Sequence, residues 1–469
     1  MSLMKRLHQG FPETLRGQAL AAMLVVLSFA TILARTTGGG IFGALAEISF
    51  VVVCAVALLR SGPREWVLLV AALVLTGFLI GSAAGRETLR DALDLAAFFG
   101  AFIALLTALK IAAQRSDAVL SVGRYIANQP PGRRFYATAT GGHVLGVFLN
   151  FGAVSLLAPM IQRSAVGGDG TPDPALEQRQ ISALLRGFAW ILLWAPTTLT
   201  QAVLLTLFTD VNSSQILALG TASAALMVVL GWAWDKFEWR GTHRASGNPV
   251  APPWPALIIV GAICFALIGA TLGLRTTAGY STALALMIVA PSVTLIWVLC
   301  QEGTCAPDAR ASWAITLWRL LTAEAPALGR SAMALGVSGF IGRSLAEVVP
   351  IEGLGQQIEA AALPGWLILA ALPILISLGG QIAISPIMLV VFLGQVLGTI
   401  PDLPVTDTMI VYALSVGWAL SMLTSPNATA TLLISATTGI APTRLTWAWN
   451  FRFALLAYVT FVALFTFLA

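Results

Sequence analysis

The chain has 469 residues, of which 58% are hydrophobic and only 10% charged, with a mean hydropathy of +0.86 and a net charge of +5. A soluble domain carries about 25% charged residues, so this composition excludes a water-soluble enzyme and indicates an all-α polytopic membrane protein with little mass outside the bilayer. The positive charge implies no nucleic-acid partner, because basic residues collect on the cytoplasmic loops of any membrane protein.

In chain order, Met1–Arg16 is basic and amphipathic, does not resemble a cleavable signal peptide, and leads into a run long enough to span. Apolar stretches of spanning length follow near 18–36, 40–59, 65–84, 90–112, 185–208, 212–234, 254–274, 279–300, 323–346, 407–435 and 445–468, which predicts about eleven transmembrane helices. Two further stretches, 136–162 and 364–396, are long, carry Gly and polar residues at their middle and Pro soon after, and are predicted to be re-entrant helix-turn-helix hairpins. The links 113–134, 164–184 and 235–253 are polar and none is expected to fold as a separate domain; Ser116 to Asn128 is predicted to be a short amphipathic surface helix ended by Pro130-Pro131. Cys54, Cys264, Cys300 and Cys305 fit neither a disulfide framework nor a zinc site.

The two hairpins carry similar polar breaks. The first reads Asn150-Phe151-Gly152-Ala153-Val154-Ser155 and on to Pro159; the second reads Ser377-Leu378-Gly379-Gly380-Gln381 and on to Ser385-Pro386. Each has a polar residue two before a glycine and a proline seven after it. Each is followed by a span interrupted at a second proline, Trp194-Ala195-Pro196-Thr197-Thr198 and Thr424-Ser425-Pro426-Asn427-Ala428-Thr429. Duplicated interruptions of this kind point to the binding site of a transporter.

With the N-terminus in the cytoplasm and both hairpins re-entrant, every Lys and Arg except Arg35, Arg86, Arg90, Arg275, Arg330 and Arg343 lies inside or at the inner boundary. The first hairpin then opens from the cytoplasm and the second from outside. The chain divides into an N-terminal segment with the first span (1–39), a first repeat (40–234), a cytoplasmic linker (235–253) and a second, inverted repeat (254–469).

Broken helices leave N–H ends that favour anions and C=O ends that favour cations. Asn150, Ser155, Thr197, Thr198, Thr200, Ser377, Gln381, Ser385, Thr424, Ser425, Asn427 and Thr429 add neutral donors and acceptors around them, while Gly152, Gly379 and Gly380 permit close backbone approach. Such a site suits a small anion carried with a small cation. A structural reading competes at every position, since Pro, Gly, Ser and Thr also kink or glue membrane helices. Glu47, in the second span, is the candidate for proton coupling, with a scaffold contact as its alternative. Asp94 lies near the outer end of the fourth span, and Glu324 and Arg330 are expected to pair within the ninth. His143 reads first as a packed histidine, and Trp194 as an interface anchor or a site-lining ring. Asn427-Ala428-Thr429 fits a glycosylation pattern but falls at membrane depth.

These residues resemble the ion transporter superfamily and, within it, the divalent anion/sodium symporter family. There each hairpin tip carries Ser-Asn-Thr and the tenth span Thr-Pro-Pro-Asn-Ala. Here Asn150 matches at the first tip, no residue matches in place at Ser377, Thr424–Ala428 departs at one position, and Pro196 is kept with Thr197 where the family has Asn. The resemblance implies sodium and carboxylate binding at the hairpins and broken spans, elevator-like transport and a dimeric scaffold. With both tip triads incomplete, the expectation is a shared architecture with a different substrate.

The sequence therefore predicts a secondary transporter in the inner (cytoplasmic) membrane for a small anionic solute, coupled to Na⁺ or H⁺, with no other cofactor. The rival is a cation/proton antiporter or anion exporter of the same superfamily. An integral-membrane transferase ranks below both, because no Asp-rich cluster or His-metal spacing is present.

Overall fold

A computed structural model describes residues 13–59, 61–81, 85–114, 116–130, 133–166, 171–208, 211–240, 251–303, 313–348, 357, 360–400 and 403–468. In chain order the helices are α1 (Glu13–Thr37), α2 (Ile41–Leu58), α3 (Pro63–Ile80), α4 (Gly85–Gln114), α5 (Asp117–Ala127), α6 (Arg134–Leu149), α7 (Phe151–Ser164), α8 (Pro174–Ala189), α9 (Leu199–Leu207), α10 (Ser213–Glu238), α11 (Trp254–Ala278), α12 (Thr282–Gly303), α13 (Trp313–Val348), α14 (Gly365–Gln381), α15 (Pro386–Thr399), α16 (Asp407–Thr424), α17 (Thr429–Thr438) and α18 (Phe451–Leu468). The described residues form no strand beyond one isolated bridge, Val166 to Pro172. Eight helical segments among them are long and apolar enough to cross a bilayer, and shorter apolar helices lie at Glu65–Ile80, Gly365–Gln381 and Pro386–Gly398. The all-α membrane architecture follows from this, since in hydrocarbon a helix satisfies its backbone internally.

The chain forms two compact units, residues 1–112 with 269–350 and residues 113–268 with 351–469. Each takes segments from both sequence halves. In the first unit α1 and α2 form a hairpin turned by Gly38, Gly39 and Gly40, all at positive φ. Phe50 packs where Gly100 and Gly336 leave room for its ring. Arg35 pairs with Asp94 at 2.5 Å, and Arg343 with Asp91 and Glu347. The expected Glu324–Arg330 pair is absent from the described ion pairs. Six residues is about one and two-thirds helical turns, which sends the two side chains to different faces.

The second unit contains both hairpins and both interrupted helices. Its packing is reciprocal. The first arm of each hairpin lies on the leading half-helix of its own sequence half, α6 on α8 and α14 on α16. The second arm lies on the trailing half-helix of the other, α7 on α17 and α15 on α9. The leading halves α8 and α16 also touch, and Thr408 to Leu423 is buried without interruption.

Two predicted elements change. The first interrupted helix starts at Pro174, not near 185, so much of the predicted link 164–184 is helical. Asp173 caps it by accepting from the N–H groups of Ala175 and Leu176, and Pro174 suits the first helical position. The amphipathic helix exists as α5, but Val119, Val122 and Ile126 are buried on the hairpin arms α6 and α7.

Candidate functional site

The hairpins turn differently, and this corrects the sequence correspondence. The first turns on one residue, Asn150 (φ 52°), a conformation that asparagine tolerates better than most residues. The second turns over Ile382, Ala383, Ile384 and Ser385, with Ala383 at φ 64°, and its second arm begins at Pro386. Pro159 lies inside α7, whereas Pro386 opens α15. Aligning Asn150 with Ser377 on glycine and proline spacing is therefore out of step with the turns. Ser377 sits inside α14, and the polar side chains at the second tip are Gln381, at the end of α14, and Ser385, before α15. A glycine and a proline do not mark a helix end by themselves, because a proline is also accommodated within α7.

The interruptions, in contrast, agree position by position when counted from Pro196 and Pro426. The residue two after each proline donates its N–H to the carbonyl one before it, Thr198 to Ala195 (3.0 Å) and Ala428 to Ser425 (3.1 Å). Proline at the second position of such a turn is pre-set for it. The side chain five after each proline donates back to the carbonyl four before, Gln201 to Leu192 (2.9 Å) and Thr431 to Met422 (3.2 Å). Nine before each proline stands a glycine seated on the first hairpin arm. A Cβ on Gly187 would collide with the Ala139 carbonyl, and one on Gly417 would come within 2.9 Å of Pro373 Cα.

The tips are tied to these turns in parallel ways. Thr197 Oγ1 donates to Val147 O (2.5 Å), and Asn427 Nδ2, at the same offset, donates to Gly380 O (3.1 Å). Asn150 Nδ2 donates to Thr197 O (3.4 Å) and Gln381 Nε2 to Thr424 O (3.1 Å). Ser425 Oγ also donates to Gly380 O, and the tip approaches so closely that a Cβ on Gly380 would lie 2.8 Å from Ser425 Cβ. Gly379 has a similar role between the arms, against Leu389.

Around the first interruption Asn150 Oδ1 and Thr200 Oγ1 are buried without a hydrogen-bond partner from the protein, so their hydrogen-bonding capacity is unused by the fold. Gly152 is buried in the first turn of α7, and Ser155 Oγ donates to Gly152 O. Pro159 has no N–H for the Ser155 carbonyl. Around the second, Thr424 bonds back to Leu420, and Thr429 is exposed at the start of α17. The described residues contain no group of three or more His, Cys, Asp or Glu able to hold a metal. Neutral oxygens, with the carbonyls ending the 3-10 turn Trp190–Leu193 that continues α8 and those ending α16, could hold a cation, and the N-termini of α9 and α17 would favour an anion.

Glu47 is not among these groups. It lies on α2 in the first unit, within electrostatic range of Asp94 and Arg90. Sequence reading passed over Gln201, which also bonds Ser415 Oγ (3.1 Å); Trp447, which reads in the sequence as an interface anchor, donates from Nε1 to Gln381 Oε1 (2.9 Å). His143 joins the first hairpin to the first interruption. Its Nδ1 is 3.0 Å from Gly187 O and its Nε2 accepts from Trp194 Nε1 (3.1 Å). A carbonyl only accepts and an indole N–H only donates, so this geometry fixes the neutral ring with its proton on Nδ1. Counting offsets from the two prolines was the signal available for Gln201 and the glycine pair.

No protein-family model matches the sequence, and no curated protein matches it. Among solved structures, the chain shares the fold of a protein described as the Alcanivorax borkumensis YdaH transporter, whose crystal structure reveals an unusual topology. The TM-score is 0.56 at 14% identity, over 86% of this chain and 98% of that one.

Proposed function

We propose that the chain is a secondary active transporter of a small anionic, carboxylate-type solute, coupled to Na⁺ or H⁺. The observation that carries this reading is the duplicated tie between hairpin tip and interrupted helix, both copies lying in one compact unit. Irregular backbone at membrane depth is costly unless it lines a site, and the fold likeness to a transporter agrees with that use. The solute sits against the N-terminal end of α17, with Asn427 and Thr429 as its neutral partners. A Na⁺ ion uses Asn150 Oδ1 and nearby carbonyls. The second unit is the part that moves, in an elevator-like cycle, while the first forms a homodimeric scaffold in the inner membrane with the N-terminus inside. The family reading, a relative of the divalent anion/sodium symporters, rests on Asn150 and on Thr424 to Ala428. No step of this cycle is enzymatic.

Counterflow in proteoliposomes tests the proposal, using a panel of mono- and dicarboxylates with imposed Na⁺ or pH gradients. Flux of at least one carboxylate that responds to one gradient is expected. Absence of flux across the panel under every gradient sinks it. A second reading, a cation/proton antiporter or anion exporter, is favoured by Glu47, a carboxyl on a spanning helix near Asp94 and Arg90. It predicts outward flux whose pH dependence disappears in Glu47→Gln; symport with its cation held at the interruptions predicts uptake whose response to the driving gradient is unchanged in Glu47→Gln.

A further inference from the structure

One end of the second unit carries cations that its own carboxylates do not use. The start of α6 meets the end of α10 there. The Tyr136 and Trp232 rings lie 5.7 Å apart, Lys236 Nζ stands 3.7 Å over the centre of Trp232, and the Arg240 guanidinium lies 5.0 Å over Phe237. Arg133 is exposed one turn before Tyr136. The nearby acids are committed elsewhere. Asp235 takes both bonds from Arg179 (2.7 and 2.5 Å), and Glu238 faces Arg186 at 3.4 Å. Among the described residues no ion pair engages Arg133, Lys236 or Arg240.

We infer that this end is a binding site for an anionic phospholipid, the phosphate held by Arg133, Lys236 and Arg240 and the glycerol and upper acyl carbons lying on Tyr136, Trp232 and Phe237. The charge is complementary, and ring stacking leaves the cationic N–H groups free to donate. The rings favour a lipid over free phosphate. Tyr136 is 39% and Phe237 58% exposed beside the cations, an arrangement suited to the layer where headgroups meet hydrocarbon. The N-terminal end of α6 adds its positive dipole end to the same place.

Native mass spectrometry of the full chain in neutral detergent tests this, titrating phosphatidylglycerol against phosphatidylcholine of the same acyl chains. Phosphatidylglycerol should be retained more tightly. The triple variant Arg133→Gln/Lys236→Gln/Arg240→Gln should lose about fivefold in its apparent affinity for each cation removed, with phosphatidylcholine unchanged. Arg330→Gln, an exposed cation on α13, should match wild type. Lys236→Gln alone, at an exposed position, gives the same comparison at about fivefold if the triple variant does not fold. Equal retention of both lipids by wild type, or undiminished phosphatidylglycerol binding by the variants, overturns the proposal. So does a thermal shift from inorganic phosphate equal to that from phosphatidylglycerol.

Discussion

The two interruptions share one backbone design and differ in what surrounds it. At the first, Thr197, Thr198, Thr200 and Gln201 are at most 2% exposed, and an amide oxygen and a hydroxyl are buried without partners. At the second, Asn427, in the place of Thr197, is only partly buried, Thr429, in the place of the buried Leu199, is exposed, and Trp447, 55% exposed, holds the tip through Gln381. The design shared by both explains why the duplicated features are backbone turns, glycines and back-bonded side chains, which any such break requires. The differing surroundings point to a division of work. Under the proposed transport reading, the sealed copy with orphaned oxygens would take a small desolvated cation, and the open copy with an exposed helix N-terminus the larger, hydrated solute.

The largest contrast should come from the glycine pair. Gly187→Ala drives a methyl into the backbone of α6, which has no rotamer to offer, and is expected to cost ~3 kcal/mol or more. Gly417→Ala meets Ile376, which can turn, as well as Pro373 Cα, and should cost about 1–2 kcal/mol. Thermal unfolding in detergent measures both. Equal losses would mean that the two leading half-helices are equally adaptable.

The next contrast lies in the side chains that span each turn. Gln201→Leu removes bonds to both Leu192 O and Ser415 Oγ in a buried setting and should cost roughly 2 kcal/mol. Thr431→Val removes one, at about 1 kcal/mol. A Thr431 variant as damaging as the Gln201 variant would argue against the extra bond to Ser415.

How far the sequence reached follows from the same residues. Eight helical segments among the described residues, against about eleven predicted spans, are long and apolar enough to cross. The all-α spanning architecture, the helix-turn-helix form of the two hairpins and the proline interruptions were legible because each is a local signal, a run of apolar residues or a residue that cannot continue a helix. The turn position in each hairpin was not. Asn150 and Ala383 both adopt positive φ, but nothing in the glycine-proline spacing picks them out or distinguishes Pro159 inside a helix from Pro386 at the start of one. Most bonds from tip to interruption were also out of reach, since Thr197 to Val147 and Asn427 to Gly380 join segments some fifty residues apart. That Glu47 belongs to the first compact unit and the interruptions to the second is likewise a property of the packed chain and not of the span that carries Glu47.

A third contrast concerns binding. Asn150→Gly keeps the positive φ and loses only the long 3.4 Å bond to Thr197 O, so stability should change by less than about 1 kcal/mol. The orphaned Oδ1 is lost with it, and the Na⁺ concentration giving half-maximal flux should rise by roughly tenfold, the equivalent of about 1.4 kcal/mol. Gln381→Gly, at the open copy, should leave that concentration unchanged and weaken solute binding. Reversed outcomes would exchange the assignments of the two copies.

The smallest effect tests whether the backbone designs are equivalent where their sequences differ. Thr198 is the N-cap of α9, and its hydroxyl accepts from the Gln201 N–H; the corresponding cap of α17 is Ala428, which has no side chain to offer. Thr198→Ala should cost about 1 kcal/mol. Ala428→Ser places a hydroxyl within reach of the Thr431 N–H, three residues on, and should add about 0.5–1 kcal/mol if the buried position admits one more atom. A gain in thermal midpoint for Ala428→Ser, set against a loss for Thr198→Ala, would mean that the two turns are interchangeable backbone units. Destabilisation by Ala428→Ser would mean that α17 starts in a geometry that only a small apolar residue fits, and the equivalence would end at the hydrogen bonds already seen around Pro426.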